Sequence, residues 1–273
     1  MKPPRLKTVL LTPLLLFVLF YVTGAVVLSQ RDVPVMELAE SPAIPLSIVI
    51  FGASGTAGDG ILQAALASAD IGTIHVITRR ETPRIEEGIA SGKVQVTLHR
   101  DYLDYSAVLK KIQQVDAVFW AIGVSSLGVD EKTYSMIHVD FPMRFVEAWT
   151  GVSTKSNMSF HYISSSDISG ESTAMWAREK LRAEDSLIAF AEGKNLRIIA
   201  YRPDYIGPTK EEAHIGQDLI YWFFKPVGAA VRATQIGQAM IDVTLRGPEL
   251  ESGTKLHTGK IARYSHAYEL RQH

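Results

Sequence analysis

The sequence predicts an α/β fold, a doubly wound parallel sheet with an N-terminal transmembrane helix. Three observations carry this reading. Aliphatic residues at 48–50 run into a turn with glycines at Gly52, Gly55 and Gly58, after which Ile61, Leu62, Ala65 and Leu66 recur at helical spacing. Further β-branched and aromatic runs then alternate with helical segments. Between residues 8 and 29 there is no charged side chain, and Leu, Val and Phe dominate.

Composition bounds the function. The 273 residues suffice for one large α/β domain or two small ones. With 28 basic and 29 acidic side chains the net charge is −1, so no nucleic-acid footprint is present. The absence of cysteine excludes disulfides, thiolate catalysis and cysteine-based zinc sites. The 8 histidines are scattered without HxxxH or HxH spacing, and no metal site is expected.

Taken in order, residues 1–29 read as a membrane anchor. The uncharged stretch is long enough to cross a bilayer once, and Pro13 lies near its start, where a helix tolerates it. A cleaved signal peptide, with Thr23-Gly24-Ala25 as a poor cleavage site, and a buried core helix are the competing readings. Lys2, Arg5 and Lys7 precede the span, while Asp32, Glu37 and Glu40 follow Arg31. The positive-inside rule puts the amino terminus in the cytoplasm and the domain across the membrane. Residues 30–45 hold Pro34, Pro42 and Pro45 among acidic residues, a linker by composition. The domain is expected over residues 46–273.

The turn at 52–58 sits between a strand and a helix, the context that gives a glycine pattern its meaning as a dinucleotide site. Gly52 permits the sharp turn, Gly55 lets the backbone approach a pyrophosphate, and Gly58 lets the helix pack closely. Free N–H groups and the positive end of the helix dipole would hold the phosphates. Gly52, Ser54, Gly55, Thr56, Ala57 and Gly58 are therefore candidate cofactor-binding residues. Such a cofactor sits badly with a domain across the membrane, so the side stays open.

Residues 72–78 read as strand two, with Arg79 and Arg80 directly after it. An acid there would bind the 2′-hydroxyl of NAD, whereas arginine pairs with the 2′-phosphate of NADP. No acid stands at that strand end, so NADP(H) is favoured and NAD kept as the alternative. Residues 94–99 read as strand three, 105–114 as a short helix, and 115–123 as strand four. The small-residue end of strand four makes Ala121, Ile122 and Gly123 candidates beside a ribose. Residues 134–149 form a helical segment with an aromatic stripe that reads as core. Strand five, from Phe160, ends in Ser164-Ser165-Ser166. A helix from about Ser172 carries Trp176 and Lys180, and strand six at 196–201 leads into Arg202-Pro203 and Gly207-Pro208.

The GxxGxxG spacing, serine run, lysine and Arg-Pro turn together resemble the short-chain dehydrogenase/reductase superfamily, an NAD(P)-binding Rossmann fold. The spacing is similar to its compact atypical members, the Tat-interacting oxidoreductase-like proteins, over about residues 46–245. The resemblance implies that Ser165 or Ser166 orients a substrate carbonyl and that Lys180 holds the nicotinamide ribose. It further implies that Pro203 and Ile206 support the nicotinamide, and that Asp104 or Asp101 meets the adenine amino group. The family's catalytic tyrosine is replaced by Trp176. Indole is a donor only and does not titrate in water, so it cannot carry the proton of carbonyl reduction. Three outcomes stay open. Another hydroxyl substitutes, such as Tyr162, Tyr205 or a serine of the run; the reaction needs little acid catalysis; or the cofactor is bound without turnover.

The aromatic segment at 218–224 reads as a substrate lid or core element, or as a segment lying on the membrane. Thr234 reads as the N-cap of a helix to about Leu245, ended by Gly247-Pro248. The expected function is a membrane-anchored, NADPH-dependent oxidoreductase acting on a small-molecule substrate. The alternative is a non-catalytic NADP(H)-binding sensor or an assembly or scaffold subunit. A homo-oligomer or a membrane-complex partner is compatible with either.

Overall fold

The computed structural model describes residues 6–29 and 36–272, with the side chains of the first helix from Leu15 to Leu28. In chain order the elements are α1 (Leu6–Ser29), β1 (Leu46–Phe51), α2 (Thr56–Ala67), β2 (Ile71–Thr78), α3 (Pro83–Ala90), β3 (Val94–Leu98), α4 (Ser106–Leu109) and β4 (Ala117–Trp120). Then follow α5 (Glu131–Ser135), a π-helical turn (Met136–Asp140), α6 (Phe141–Thr150), β5 (Met158–Ile163), α7 (Met175–Ala191) and β6 (Leu196–Arg202). The C-terminal part holds β7 (Tyr205–Gly207), α8 (Ile215–Phe224), β8 (Ala230–Arg232), α9 (Ala233–Leu245), β9 (Thr254–His257) and α10 (Thr258–Gln272).

Seven strands form one parallel sheet in the order β3-β2-β1-β4-β5-β6-β9, and β7 pairs with β8 beside it. Parallel strands need crossovers, and the helices that supply them cover both faces. This is why β1 is an unbroken apolar run. Ile48 and Ile50 pack toward α2, α9 and α10, while Val49 and Phe51 pack toward α6 and α7. The strand order reverses between β1 and β4, which opens a crevice at their carboxyl ends.

Two glycines set how closely α2 and α9 approach. A Cβ on Gly60 would lie 2.3 Å from the Ala233 carbonyl carbon, and one on Gly237 would lie 2.7 Å from the Ile61 Cα.

Several local expectations need correction. The helix expected over 105–114 is only the single turn of α4. The continuous helix expected at 134–149 starts earlier and is interrupted by the π-helical turn. Thr234 lies inside α9, where its hydroxyl donates to Gln63; Arg232 holds the cap position. The seventh strand, β9, was not anticipated.

Among the described residues no helix is long and apolar enough to cross a membrane. Lys2, Arg5, Arg31 and Asp32, which set the expected orientation, lie outside the described residues, as does the first part of the linker. The rest of the linker lies along the domain, where the Glu37 carbonyl accepts from Arg246 Nη2 at 2.8 Å.

Candidate functional site

The site begins with the turn after β1. Gly52 has φ 78°, in the left-handed region that favours glycine, and a Cβ there would lie 2.6 Å from the Ala121 carbonyl. A Cβ on Gly58 would lie 2.0 Å from the Gly52 carbonyl oxygen. The protein itself therefore requires both glycines. Gly55 differs. It has φ −104° and ψ 165°, extended backbone that any residue adopts. A Cβ there would only touch the Gly52 oxygen at 3.5 Å, an ordinary contact. Packing gives no reason for glycine at 55; an approaching ligand would. This observation makes the turn fit a pyrophosphate.

Three cavities meet at this turn. The first, of about 440 Å³, lies toward Arg84, Pro208, Thr209 and His214. Two more run along the switch point. One, of about 290 Å³, is lined by Gly52, Ser54, Gly55, Arg79, Arg80 and Tyr102 together with Ala121, Ile122 and Gly123. The other, of about 310 Å³, shares Gly55 and the Ala121–Gly123 edge and adds Thr56, Ala57, His138, Ser164, Lys180 and Ile206. The crevice thus runs across the switch point with chemically different ends. Arg79 and Arg80 are exposed at one end, and the Thr78 hydroxyl donates to the Arg80 carbonyl at 2.8 Å, closing the turn.

The other end is built from β5, α7 and the π-helical turn. Lys180 Nζ donates to the Ile163 carbonyl at 2.8 Å and lies 5.1 Å from the Tyr162 ring centroid. Burial lowers its pKa to about 7, and Glu184 one turn on opposes the shift. Ser164 is 6% exposed, and its hydroxyl has no hydrogen-bond partner among the described residues. A buried hydroxyl without a partner costs free energy, which a polar ligand would recover. His138 Nε2 lies 3.3 Å from both the N–H and the carbonyl of Val124. Such wide helical turns recur at functional sites because they re-aim one side chain.

The structure brings together Gly52, Ser54, Gly55, Thr56, Ala57, Arg79, Arg80, Ala121, Ile122, Gly123, Lys180 and Ile206. Gly58 lies buried beneath the turn instead. Asp104 is exposed and accepts from the Ser106 N–H at 2.9 Å; Tyr102 lines the crevice in its neighbourhood. The Pro203 carbonyl accepts from the Ser166 N–H at 3.3 Å, and Pro203 lines none of these cavities. Ser165, Ser166 and Trp176 are half-buried and also lie off all three linings. The serine facing Lys180 is Ser164. Strand alternation puts Ser164 and Ser166 on the Tyr162 side, and the choice between them depends on where β5 ends. His138 carries no comparable sequence signal.

Tyr162 is excluded as a substitute proton carrier. It is fully buried, its hydroxyl donates to the His138 carbonyl at 3.1 Å, and burial pushes its pKa well above the usual value.

Burial and the neighbouring Lys180 lower the His138 pKa from 6.5 to about 3. Between those limits the unfolded chain takes up a proton that the folded chain refuses. The stability from neutral His138 is thus complete above pH 6.5 and is lost as pH falls toward about 3. His161, buried between Tyr201, Ser159 and Thr244, shifts in the same direction. Urea midpoints should therefore fall from pH 7 to pH 5. His138→Gln should flatten that slope by about 1.4 kcal/mol per pH unit. An unchanged slope would place the titrating groups elsewhere.

No family model and no curated protein matches the sequence. Solved structures do match its fold. An NAD complex of UDP-glucuronic acid 4-epimerase from Bacillus cereus superposes with a TM-score of 0.60 at 16% identity, covering 78% of each chain. An oxidoreductase of the short-chain dehydrogenase/reductase family from Burkholderia thailandensis gives 0.64 at 14% identity, over 80% of this chain and 93% of that one. A 3-oxoacyl-(acyl-carrier protein) reductase from Brucella melitensis gives 0.59 at 17% identity, over 81% and 98%. The chain shares the parallel-sheet Rossmann fold of these structures.

Proposed function

We propose that this chain is a membrane-anchored, NADP(H)-binding short-chain dehydrogenase-like protein that works as an NADPH-dependent oxidoreductase. The observation that carries the reading is Gly55, a glycine without a packing reason at the centre of a crevice with two arginines at one end. Gly52, Ser54, Gly55, Thr56 and Ala57 would hold the pyrophosphate, Arg79 and Arg80 a 2′-phosphate, and Ala121, Ile122, Gly123, Lys180 and Ile206 the nicotinamide half. A bound nicotinamide dinucleotide supplies hydride transfer. Lys180 and Ser164 are the groups of this chain that hold a proton or a substrate oxygen in that half. NAD stays as the alternative cofactor, and the epimerase neighbour is an NAD complex. The finer likeness to the Tat-interacting oxidoreductase-like proteins rests on the serine run, Lys180 and Arg202-Pro203.

Titrating the full-length protein in detergent with NADPH and NADH by calorimetry tests the reading. NADPH should bind at micromolar concentration and NADH at least tenfold more weakly. Arg79→Ala with Arg80→Ala should erase the difference, since a hydrogen bond to a charged group contributes about 1.5–3 kcal/mol. Failure of a folded protein to bind either nucleotide would sink the proposal.

Trp176 favours a second reading, a cofactor-binding sensor or assembly subunit without turnover, because it stands one turn before Lys180 where the family's tyrosine stands. Trp176→Tyr should create or raise NADPH-dependent carbonyl reduction if the site is otherwise intact. A folded, NADPH-binding variant without that gain would favour the second reading.

A further inference from the structure

α8 is amphipathic in the inverted sense. Its inward side is polar: Asp218 pairs with Arg232 at 2.6 Å, and the Arg232 guanidinium lies 3.9 Å from the Tyr221 ring centroid. Its outward side is apolar. Ile215, Leu219, Trp222 and Phe223 are 83%, 66%, 58% and 46% exposed, at the i, i+4, i+7 and i+8 positions of one stripe. A helix against water has the opposite arrangement.

This stripe continues onto α1. Phe17 and Tyr21 stack on Phe223 with ring centroids 6.5 and 5.1 Å apart, and the Tyr21 hydroxyl donates to the Phe223 carbonyl. Six successive residues of α1, Leu15 to Phe20, are exposed and apolar, so every azimuth of that helix is apolar. A protein partner covers one face of a helix and leaves the others wet. A solvent that surrounds α1 would satisfy it, as lipid does. At the end of α8, Lys225 Nζ lies 4.9 Å from the Trp222 ring centroid, the pairing of aromatic ring and cation found at headgroup level.

We propose that α8 lies in the bilayer interface beside α1, its outward stripe set among the acyl chains. The eight steps from Tyr21 to Ser29 rise about 12 Å along the α1 axis, slightly more than the roughly 5–10 Å at which interfacial helices sit. The arrangement also turns the crevice toward the membrane. Tyr205 and Phe224 lie with ring centroids 6.3 Å apart, and Ile206, next in β7, lines the Lys180 cavity. This inference rests on the anchoring reading above.

The test uses the full-length protein in phosphatidylcholine vesicles, with and without bromine atoms on the acyl chains near the headgroups. Trp120 and Trp149 are fully buried and Trp176 is half-buried, so subtracting the signal of Trp222→Phe isolates the exposed indole of α8. Flotation of the vesicles reads anchoring separately. Brominated lipid should quench the Trp222 contribution by half or more. Leu219→Lys with Phe223→Lys should abolish that quenching while the protein still floats. Flotation without quenching of Trp222 overturns the placement of α8 and leaves the anchor standing. Quenching that survives the double lysine variant also overturns it. Absence of flotation removes the anchor and the proposal with it.

Discussion

Gly55→Val should abolish dinucleotide binding while leaving the fold intact, whereas Gly58→Val, three residues on, should unfold the protein. The contrast follows from what each new side chain meets. At position 55 the backbone is extended, a conformation valine prefers, and the nearest atom to the Cβ is 3.5 Å away. The position caps α2, and exchanging glycine for valine at a cap costs about 1 kcal/mol at most. The valine methyls would fill the mouth of the turn and exclude the phosphates, a loss of at least about 100-fold in affinity, or 2.7 kcal/mol. At position 58 the Cβ would lie 2.0 Å from the Gly52 oxygen, a distance no rotamer relieves. Either the turn or α2 must move, and a loss above about 4 kcal/mol is expected. Urea unfolding and NADPH calorimetry on both variants separate the two effects. A Gly55→Val protein that binds NADPH like the parent would remove the central support for the dinucleotide site.

The second large effect lies behind the site. Glu184 is fully buried, and its carboxylate accepts from Arg202 Nε at 2.9 and 3.2 Å. Glu184→Ala would leave the buried guanidinium without its partner, with an expected loss of about 3–5 kcal/mol. Replacing both members, Glu184→Leu with Arg202→Met, should recover most of that loss, because the dehydration of two charges disappears with them. The same carboxylate opposes the downward shift of Lys180. Glu184→Gln should therefore lower the lysine pKa below its value of about 7, readable as a shift in the pH dependence of NADPH binding. Denaturation midpoints that barely move in Glu184→Ala would show that water already screens the pair.

These effects concern features of unequal visibility in the sequence. β1 to β6 and the glycine turn were legible because a strand buried on both faces must be apolar throughout, and a helix start on a phosphate turn needs glycine. The last strand was not. β9 reads Thr-Lys-Leu-His, and with only Leu256 buried it is too short and polar to stand out before its pairing with β6 is known. The π-helical turn was equally hidden, since one extra residue in a helical turn hardly alters an aromatic stripe over so short a segment. Within the site, the turn, the arginines and Lys180 were legible through their chemistry. The choice of Ser164 over Ser165 and Ser166 depends on where β5 ends, and such a boundary is set by hydrogen bonds to β6. The outward apolar stripe of α8 was visible as hydrophobicity, but only the ion pair beneath it reveals which side faces out.

The close approach of α2 and α9 through Gly60 and Gly237 has a consequence for how the chain acquires its shape. α2 belongs to the first quarter of the 273 residues that leave the ribosome, and its partner α9 to the last. Until residues 233–245 have emerged, Ile61 and Leu62 have no cover on that side, and β9 is not yet available to close the sheet edge at β6. Long-range parallel pairing is slow, and a nascent chain waiting for it exposes sticky surface. Synthesis should therefore deliver a half-dressed α/β core that depends on chaperones until residues 233–257 are translated.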